Sequence, residues 1–227
     1  YRLPLVSPDK NILSIHAGTR FNVVPSLAEA ELTGVATKEL YSVIRGRKDG
    51  HLFDVVTENG KSRLISHGIS SHACYPNEGH NAIQGLFSLL VELFPRGDEP
   101  LKWFIHTLND NLKMETDGNS WNIACKDEIS GALTCNMAIC EVGEKEATVK
   151  FDVRYPVTSD GNALAFKLER YADKLGGSAI YELAQHKKPL YVEKDKPFIR
   201  KLQKAYEEAT GEDAKLISIG GGTYCRY

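Results

Sequence analysis

The sequence lacks the features of membrane proteins and of nucleic-acid-binding proteins. No apolar run approaches the roughly 20 residues that a membrane-spanning helix needs, and no basic and then apolar leader follows Tyr1. The 28 basic residues are balanced by 30 acidic residues, so no large net charge attracts nucleic acid or an anionic membrane. We therefore expect neither a membrane nor a nucleic acid among the partners of this chain.

Cysteine is scarce, and its positions form no pattern. The five cysteines include no C-x-x-C pair, and an odd number argues for reduced thiols rather than a disulfide framework. We therefore expect a cytoplasmic protein. Cys135 and Cys140 lie within an apolar strand pattern, which favours buried structural thiols over reactive ones.

Metal-ligand patterns are lacking as well. His67 and His72 are five residues apart on a predicted loop, and so they do not share a helical face as ligands at i and i+4 would. The other histidines have no partner at a ligand spacing. We expect no native zinc site formed by this chain alone.

The 227 residues are enough for one large domain or two small ones with a buried core. The sequence starts at Tyr1 rather than at methionine, and its last residues run from an apolar strand pattern into a glycine-rich loop. We expect from both features that the sequence is part of a longer protein.

The stretch of residues 66–85 is the most informative part of the sequence. It begins at the end of an alternating strand, passes through a polar loop that contains His72, and opens a helix at Asn81. Asn81 is a suitable N-cap because its side-chain oxygen accepts from free backbone amides. A histidine on such a loop can reach a ligand, although polar loops also hold histidines that have no chemical role.

The first part of the chain predicts strands and helices in the order strand, helix, strand, strand, helix. Residues 1–18 contain Pro4, Pro8 and Gly18 and indicate connecting or edge structure. Asn59-Gly60 predicts a hairpin turn between two of the strands. The predicted elements are a strand at 19–32, a helix at 35–44, strands at 52–57 and 61–69, and a helix at 81–94.

The second part predicts a similar order after a less regular insertion. Two successive antiparallel sandwiches with helices on one face account for residues 19–187. A buried strand and a glycine loop after the last helix indicate part of an α/β domain. The predicted elements are a helix at 101–112, strands at 121–125, 131–142 and 146–157, a helix at 162–175, a strand at 178–185, a helix from 197 and a strand at 214–219.

Four ordered motifs resemble one enzyme family. The segment from Gly68 to Ala82 is similar to the lid motif of the zinc aminopeptidase-like family, which includes carboxypeptidases, aminoacylases and dipeptidases. Three further segments narrow the resemblance to the PepV-like dipeptidase branch. These segments are RFNVVP at 20–25, FDVRYP at 151–156, and KPLY at 188–191 with IGGGTY at 219–224.

The resemblance implies a fold and assigns each part of the chain to a lid or to a catalytic domain. Residues 19–187 would form a lid of two ferredoxin-like halves, 19–97 and 131–187, with 98–130 as an insertion. Residues 1–18 would be a linker or edge of the catalytic domain, and residues 188–227 a partial return into it. The two zinc ions and their ligands would belong to segments outside this chain. The full-length enzyme would be a monomer, and this part alone would be inactive.

The resemblance also implies roles for individual residues. His72 would donate to the oxyanion of the tetrahedral intermediate, and Asn22 would contact the substrate. Arg154 would bind the C-terminal carboxylate of the substrate with its planar guanidinium, and Gly221 and Gly222 would offer backbone amides to the same group. Each residue also has an alternative without a role in catalysis. His72 would be a solvated loop histidine, Asn22 a turn asparagine, and Arg154 a strand arginine that pairs with Asp152.

The sequence therefore predicts the lid and substrate-binding part of a zinc-dependent dipeptidase. The expected substrates are dipeptides or short amino-acyl compounds with a free C-terminal carboxylate. The alternative is a non-catalytic module, since ferredoxin-like folds also serve in small-molecule binding and in dimerisation, and fold alone does not decide function.

Overall fold

The computed structural model describes residues 10–97, 99–175 and 179–221. The fold is α+β, with a six-stranded antiparallel sheet, and the chain divides into two compact units. The first unit comprises the chain as far as Asn122 together with Thr134–Val153. The second unit comprises Ile123–Leu133 and the chain from Arg154 onward.

The sheet of the first unit contains six strands in the order β3-β4-β2-β1-β7-β8. Two strands of two residues each, β5 and β6, form a separate small sheet in the second unit. The strands are β1 (Asn11–Ala17), β2 (Leu27–Thr33), β3 (Phe53–Glu58), β4 (Lys61–His67), β5 (Lys126–Asp127), β6 (Gly131–Ala132), β7 (Thr134–Val142) and β8 (Ala147–Arg154).

The core lies between this sheet and helix α2, which packs against β2, β4 and β7 and contacts helices α1 and α3. Most of α2 is buried because its sequence is apolar on nearly every face, as expected for a helix enclosed by neighbours. The helices are α1 (Thr37–Gly46), α2 (Ala82–Leu93), α3 (Pro100–Leu112), α4 (Gly161–Leu175) and α5 (Pro197–Thr210).

One face of the sheet is buried, and the other carries charged residues. Along β2, Ala28, Ala30 and Leu32 are buried, while Glu31 on the other face pairs with Lys61 at 2.9 Å. This alternation is typical of an antiparallel sheet with one solvated face.

The hairpin and the helix start predicted from local sequence are confirmed. Asn59 and Gly60 connect β3 to β4 with φ angles of 51° and 79°, the left-handed values that a type I′ turn requires. Asn81 caps α2, because its side chain accepts hydrogen bonds from the amides of Ile83 and Gln84.

The prediction of connecting or edge structure for the first 18 residues is wrong for residues 11–17. They form β1, which lies inside the sheet between β2 and β7. A bulge between Ile12 and Ser14 shifts the register of β1 against β2. The buried residues are consequently Ile12, Ile15 and Ala17, and the period of two that marks a strand in sequence is interrupted.

Other predicted strands are shorter than expected or not formed. Only positions 27–32 of the strand predicted at 19–32 join the sheet, as part of β2. The segment at 121–125 is not a strand, because Asn122 turns the chain with φ 56°. The described residues of the segments at 178–185 and 214–219 pair with no strand in the described part of the chain.

The strands of the two predicted sandwiches meet in one sheet rather than in two. The antiparallel pairing of β1 with β7, with Ile15 opposite Val142, joins them. In the second unit, α5 begins at Pro197 and ends before Gly211 as predicted, and none of its residues is buried. None of the helices described is both long enough and apolar enough to cross a membrane.

Candidate active site

The loop between β4 and α2 is held against residues 22–26 by backbone atoms. An isolated bridge pairs Val23 with His72, and a second bridge pairs Ile69 with His80. The course of this loop is therefore determined by its main chain. Backbone hydrogen bonds of 2.9–3.0 Å join Val24 N to Ser71 O, Ala73 N to Asn22 O, Gly68 N to Ser26 O, and Ala82 N to Pro25 O.

The glycine at position 68 allows the loop to close tightly. A Cβ atom at Gly68 would lie 2.1 Å from the carbonyl oxygen of His80 and 3.0 Å from that of Pro25. Both neighbours are backbone atoms, which cannot turn away as a flexible side chain can. A side chain at position 68 would therefore push the two arms of the loop apart.

Most of the other residues of the Gly68–Ala82 motif also build the loop. The hydroxyl of Ser70 donates to the carbonyl oxygen of Val24 at 3.0 Å, and Ala73 and Ala82 are fully buried. Pro76 is buried at the start of a short 3₁₀ turn. These residues are explained by packing and by backbone satisfaction.

Asn81 links the loop to the sheet as well as to α2. Its amide nitrogen donates to the carbonyl oxygen of Met137 at 2.8 Å and to Oδ1 of Asn136 at 3.2 Å. Asn81 and Asn136 are almost completely buried. Both ends of the Asn81 side chain are thus hydrogen-bonded, and the position of α2 against β7 is fixed.

His72 is exposed, and within the described part of the chain its ring makes hydrogen bonds only to Cys74. Its Nδ1 lies 2.8 Å from Sγ of Cys74 and accepts a hydrogen bond from the backbone amide of Cys74 at 3.2 Å. Its Nε2 makes no hydrogen bond to any residue in the described part of the chain. The ring therefore presents one nitrogen that other residues of the loop do not use.

The structure brings Asn22 and His72 together. Both residues are exposed, and the carbonyl oxygen of Asn22 accepts from the amide of Ala73, the neighbour of His72. The resemblance assigned both residues to the substrate although they are 50 positions apart along the chain. Their proximity is consistent with a shared site, and their contact with a substrate stays a prediction.

A cleft of about 310 Å³ lies behind this loop in the first unit. Its lining includes His80, Asn81, Gln84, Asn136 and Cys135. Burial, aided by nearby carboxylates, raises the pKa of the Cys135 thiol to about 12. Cys135 is therefore a neutral structural thiol, as its strand pattern predicted.

The second unit contains the predicted carboxylate-binding residues. Nη1 of Arg154 donates to the carbonyl oxygen of Gly220 at 2.6 Å. This contact brings Arg154 to the start of the glycine loop that includes Gly221, whereas Gly222 lies outside the described residues. The loop carbonyl uses one of the five donors of the guanidinium.

Two features of the second unit were not predicted from the sequence. The hydroxyl of Tyr155 lies 2.7 Å from Nε2 of His186, and the two residues line a cleft of about 250 Å³. The two residues are 31 positions apart along the chain, and no local sequence pattern indicates that they form a pair.

Asp127 is the second unpredicted feature, and it organises a turn in the same unit. Its carboxylate accepts from the amide and hydroxyl of Ser130 and from the amide and hydroxyl of Thr158. Hydrogen bonds from Ser130, chiefly from its backbone amide, and then from Thr158 hold the pKa of Asp127 well below its ordinary value.

The described residues do not supply a metal-binding set. Among positions 10–97, 99–175 and 179–221, no three side chains of His, Cys, Asp or Glu come together in a way that could hold a metal ion. The donors required by a zinc pair are therefore not assembled in this part of the chain.

The chain is similar in sequence to proteins that are named dipeptidases. A Bacillus subtilis protein named "Putative dipeptidase YtjP" is 35% identical over 226 residues, which are 96% of this chain and 46% of that protein. A Staphylococcus epidermidis protein named "Putative dipeptidase" is 27% identical over 227 residues, 96% of this chain and 47% of that protein.

The similarity to dipeptidases extends along nearly the whole chain. The chain spans about half the length of the relatives it matches. No protein-family model matches the chain. The resemblance stated from the motifs is therefore supported for dipeptidases in general, and the PepV-like zinc branch stays a prediction.

Proposed function

We propose that this chain is the lid and substrate-contacting part of a zinc-dependent dipeptidase of the PepV-like branch. The substrates would be dipeptides or short amino-acyl compounds with a free C-terminal carboxylate. One observation carries the proposal. Among the polar side chains of the loop motif, Ser70 and Asn81 bond to the protein frame, whereas His72 is exposed with an uncommitted Nε2.

His72 would act as a hydrogen-bond donor to the carbonyl oxygen of the scissile peptide bond. Hydrolysis places negative charge on this oxygen in the tetrahedral intermediate, and a positioned donor stabilises that charge more than it stabilises the neutral carbonyl. The hydrogen-bonded loop supports this role because it holds the main chain of His72 in place before the substrate arrives. Asn22, on the adjacent segment, would contact the substrate next to the same group.

Arg154 would recognise the C-terminal carboxylate of the substrate. Its planar guanidinium, which donates to the carbonyl oxygen of Gly220, has the geometry for a bidentate contact with two carboxylate oxygens. Backbone amides of Gly221 and Gly222 would add donors without side-chain obstruction. A fixed carboxylate site favours dipeptides over longer peptides. Each additional residue between the carboxylate and the scissile bond would move that bond by about 3.5 Å from the place where it is cleaved.

The zinc ions would be held by polypeptide outside this chain. The described residues contain no suitable set of donors, so we assign no step of the reaction to a metal bound here. We expect the isolated chain to hydrolyse no dipeptide. The full-length enzyme would be a monomer, with a lid formed by one chain. In the described part of the chain, Cys74, Cys125, Cys135 and Cys140 form no disulfide, which suits the cytoplasm.

A chimera tests the proposal. The matched residues of this chain replace the corresponding segment of the Bacillus subtilis relative, after the relative itself has been assayed on dipeptides. We expect the chimera to hydrolyse dipeptides and the isolated chain to be inactive. Failure of a folded chimera to act on any dipeptide that the relative hydrolyses would contradict the proposal.

The Arg154→Ala variant of the chimera tests the carboxylate site separately. The loss in kcat/KM is expected to be about 100-fold for a dipeptide, because a charged hydrogen-bonded contact is removed. It is expected to be much smaller for the matching dipeptide amide, which carries no carboxylate. Equal losses on the two substrates would show that Arg154 has only a structural role.

A further inference from the structure

We propose that Cys74 is a positioning residue that fixes the neutral imidazole of His72 in the tautomer with its proton on Nε2. The inference rests on the proposed function of His72 and goes beyond it by specifying the ligand. A neutral ring in this form offers a donor at Nε2, so the site accepts a carbonyl or anionic oxygen rather than an amine proton.

The backbone amide of Cys74 determines which nitrogen of His72 carries the proton. This amide lies 3.2 Å from Nδ1 of His72 with hydrogen-bond geometry. A backbone N–H can only donate, so Nδ1 must be the acceptor and cannot carry a proton in the neutral ring. The proton of the neutral ring therefore resides on Nε2.

The thiol of Cys74 strengthens the same assignment. Its Sγ lies 2.8 Å from Nδ1, and with Nδ1 unprotonated the S–H group is the donor. One residue thus directs both a main-chain donor and a side-chain donor at a single ring nitrogen. The opposite tautomer would place the Nδ1 proton against the amide proton of Cys74 and would lose that hydrogen bond, and the sulfur would then act only as a weak acceptor.

The remaining nitrogen is accessible for a ligand. Nε2 has no hydrogen-bond partner in the part of the chain that the structure describes, and the His72 side chain is exposed. In a neutral imidazole, the hydrogen bond at one nitrogen determines whether the other nitrogen carries the proton. Removing the thiol is expected to weaken this preference without removing it, because the backbone amide stays.

Nitrogen NMR of the 227-residue chain, labelled with ¹⁵N-histidine and held at a pH where the rings are neutral, tests the tautomer directly. We expect Nδ1 of His72 to resonate as an unprotonated nitrogen and Nε2 as a protonated one. His16 is the internal reference, because its Nδ1 lies 2.6 Å from the Glu141 carboxylate and should carry the proton. A protonated Nδ1 at His72 would overturn the inference.

Three variants isolate the thiol. Cys74→Ala should change the tautomer ratio of His72 about fivefold, the effect of one neutral hydrogen bond, whereas Cys74→Ser keeps a donor and should restore the ratio. Cys125→Ser, at another half-buried cysteine, should leave the ratio unchanged. Identical His72 spectra for wild type and Cys74→Ala would show that the thiol has no positioning role. If Cys74→Ala does not fold, the wild-type spectrum and Cys74→Ser decide.

Activity distinguishes this inference from the proposed function. In the chimera, Cys74→Ala should lower kcat in step with the measured fraction of His72 that keeps its proton on Nε2, by less than about twofold while that form predominates. It should leave KM unchanged and be rescued by Cys74→Ser. A measurably lower fraction of the Nε2-protonated form with unchanged kcat would overturn the catalytic consequence and the role of His72, while the tautomer assignment itself would stand. An unaltered ratio would overturn the tautomer role of Cys74 whether or not the chimera is active.

Discussion

The carbonyl oxygen of Asn22 accepts a hydrogen bond of 3.0 Å from the amide of Ala73, and this bond places Asn22 beside His72. The two candidate residues come from segments that are separated by three strands and a helix in the sequence. Because the bond involves only main-chain atoms, replacing either candidate side chain should leave this bond in place. Changes at Asn22 or His72 can therefore be interpreted as effects on the site rather than on the fold.

The N-cap at Asn81 is predicted to be a large contributor to the stability of the first unit. Asn81→Ala removes the cap of α2 and leaves the carbonyl oxygen of Met137 without its donor. We expect a loss of about 3 kcal/mol in the free energy of unfolding, measured by urea denaturation. Asn77→Ala, at a nearby exposed position, should change it by less than about 0.5 kcal/mol. Equal losses for the two variants would contradict this account of the cap.

The four described cysteines are predicted to form two classes according to their reactivity with iodoacetamide. Burial raises the pKa of Cys135 and of Cys140 to about 12, so at pH 8 only about one thiol in 10⁴ is ionised. Iodoacetamide should therefore label the half-buried Cys74 and Cys125 in the native chain. Cys135 and Cys140 should be labelled only after unfolding, as read by peptide mass mapping. Rapid native labelling of Cys135 would show that its strand is open.

The turn at Asp127 is predicted to make the second unit sensitive to acid. Its folded pKa lies below its unfolded value, so the stabilisation is complete above about pH 3.9. It is lost as the pH falls through the folded pKa. Amide hydrogen exchange at Ser130 and Thr158 should accelerate relative to the rest of the unit below that pH. Asp127→Asn should raise exchange at neutral pH and flatten this dependence.

The matched control for Asp127 is Asp173→Asn. Asp173 is an exposed carboxylate in the same unit that pairs with Arg170 at 3.4 Å. A surface pair of this kind contributes little to stability, so exchange at Ser130 and Thr158 should follow the wild-type pH dependence. The same flattening in both variants would assign the effect to net charge instead of the hydrogen bonds of Asp127.

Local sequence signals were sufficient where one residue type determines the backbone. Asn59-Gly60 predicted its turn because few other pairs adopt two consecutive left-handed conformations. Asn81 predicted the start of α2 because its cap depends only on the next three residues. The end of α5 was equally local, since Gly211 adopts the left-handed conformation that stops a helix.

Features that depend on distant partners could not be read from the sequence. The bulge in β1 is defined by its register against β2, and without that partner the spacing of Ile12, Ile15 and Ala17 does not indicate a strand. The apolar segment at 214–219 predicted a buried strand, but a strand also needs a neighbour with free backbone groups. The same holds for the joining of the two predicted sandwiches through β1 and β7.

In the candidate site, too, some features could be predicted from the sequence and others depend on the folded chain. The motif identified His72 by resemblance, and the structure explains why the motif residues around it build the loop. The contact between Nδ1 of His72 and Cys74 depends on the turn that the loop makes at Ala73, and residue types alone do not specify this turn. The bond from Arg154 to Gly220 joins positions 66 residues apart, beyond the reach of any local pattern.

The kcat of the chimera with His72→Ala is the measurement that tests the central claim most directly. The control is His51→Ala, since His51 is also exposed and lies in a different turn of the first unit. We predict that His72→Ala lowers kcat on a dipeptide about 100-fold, the cost of one oxyanion donor. Metal content and the unfolding temperature should not change, and His51→Ala should behave as the unmodified chimera. Unchanged kcat in a folded, metal-loaded His72→Ala chimera would contradict the account.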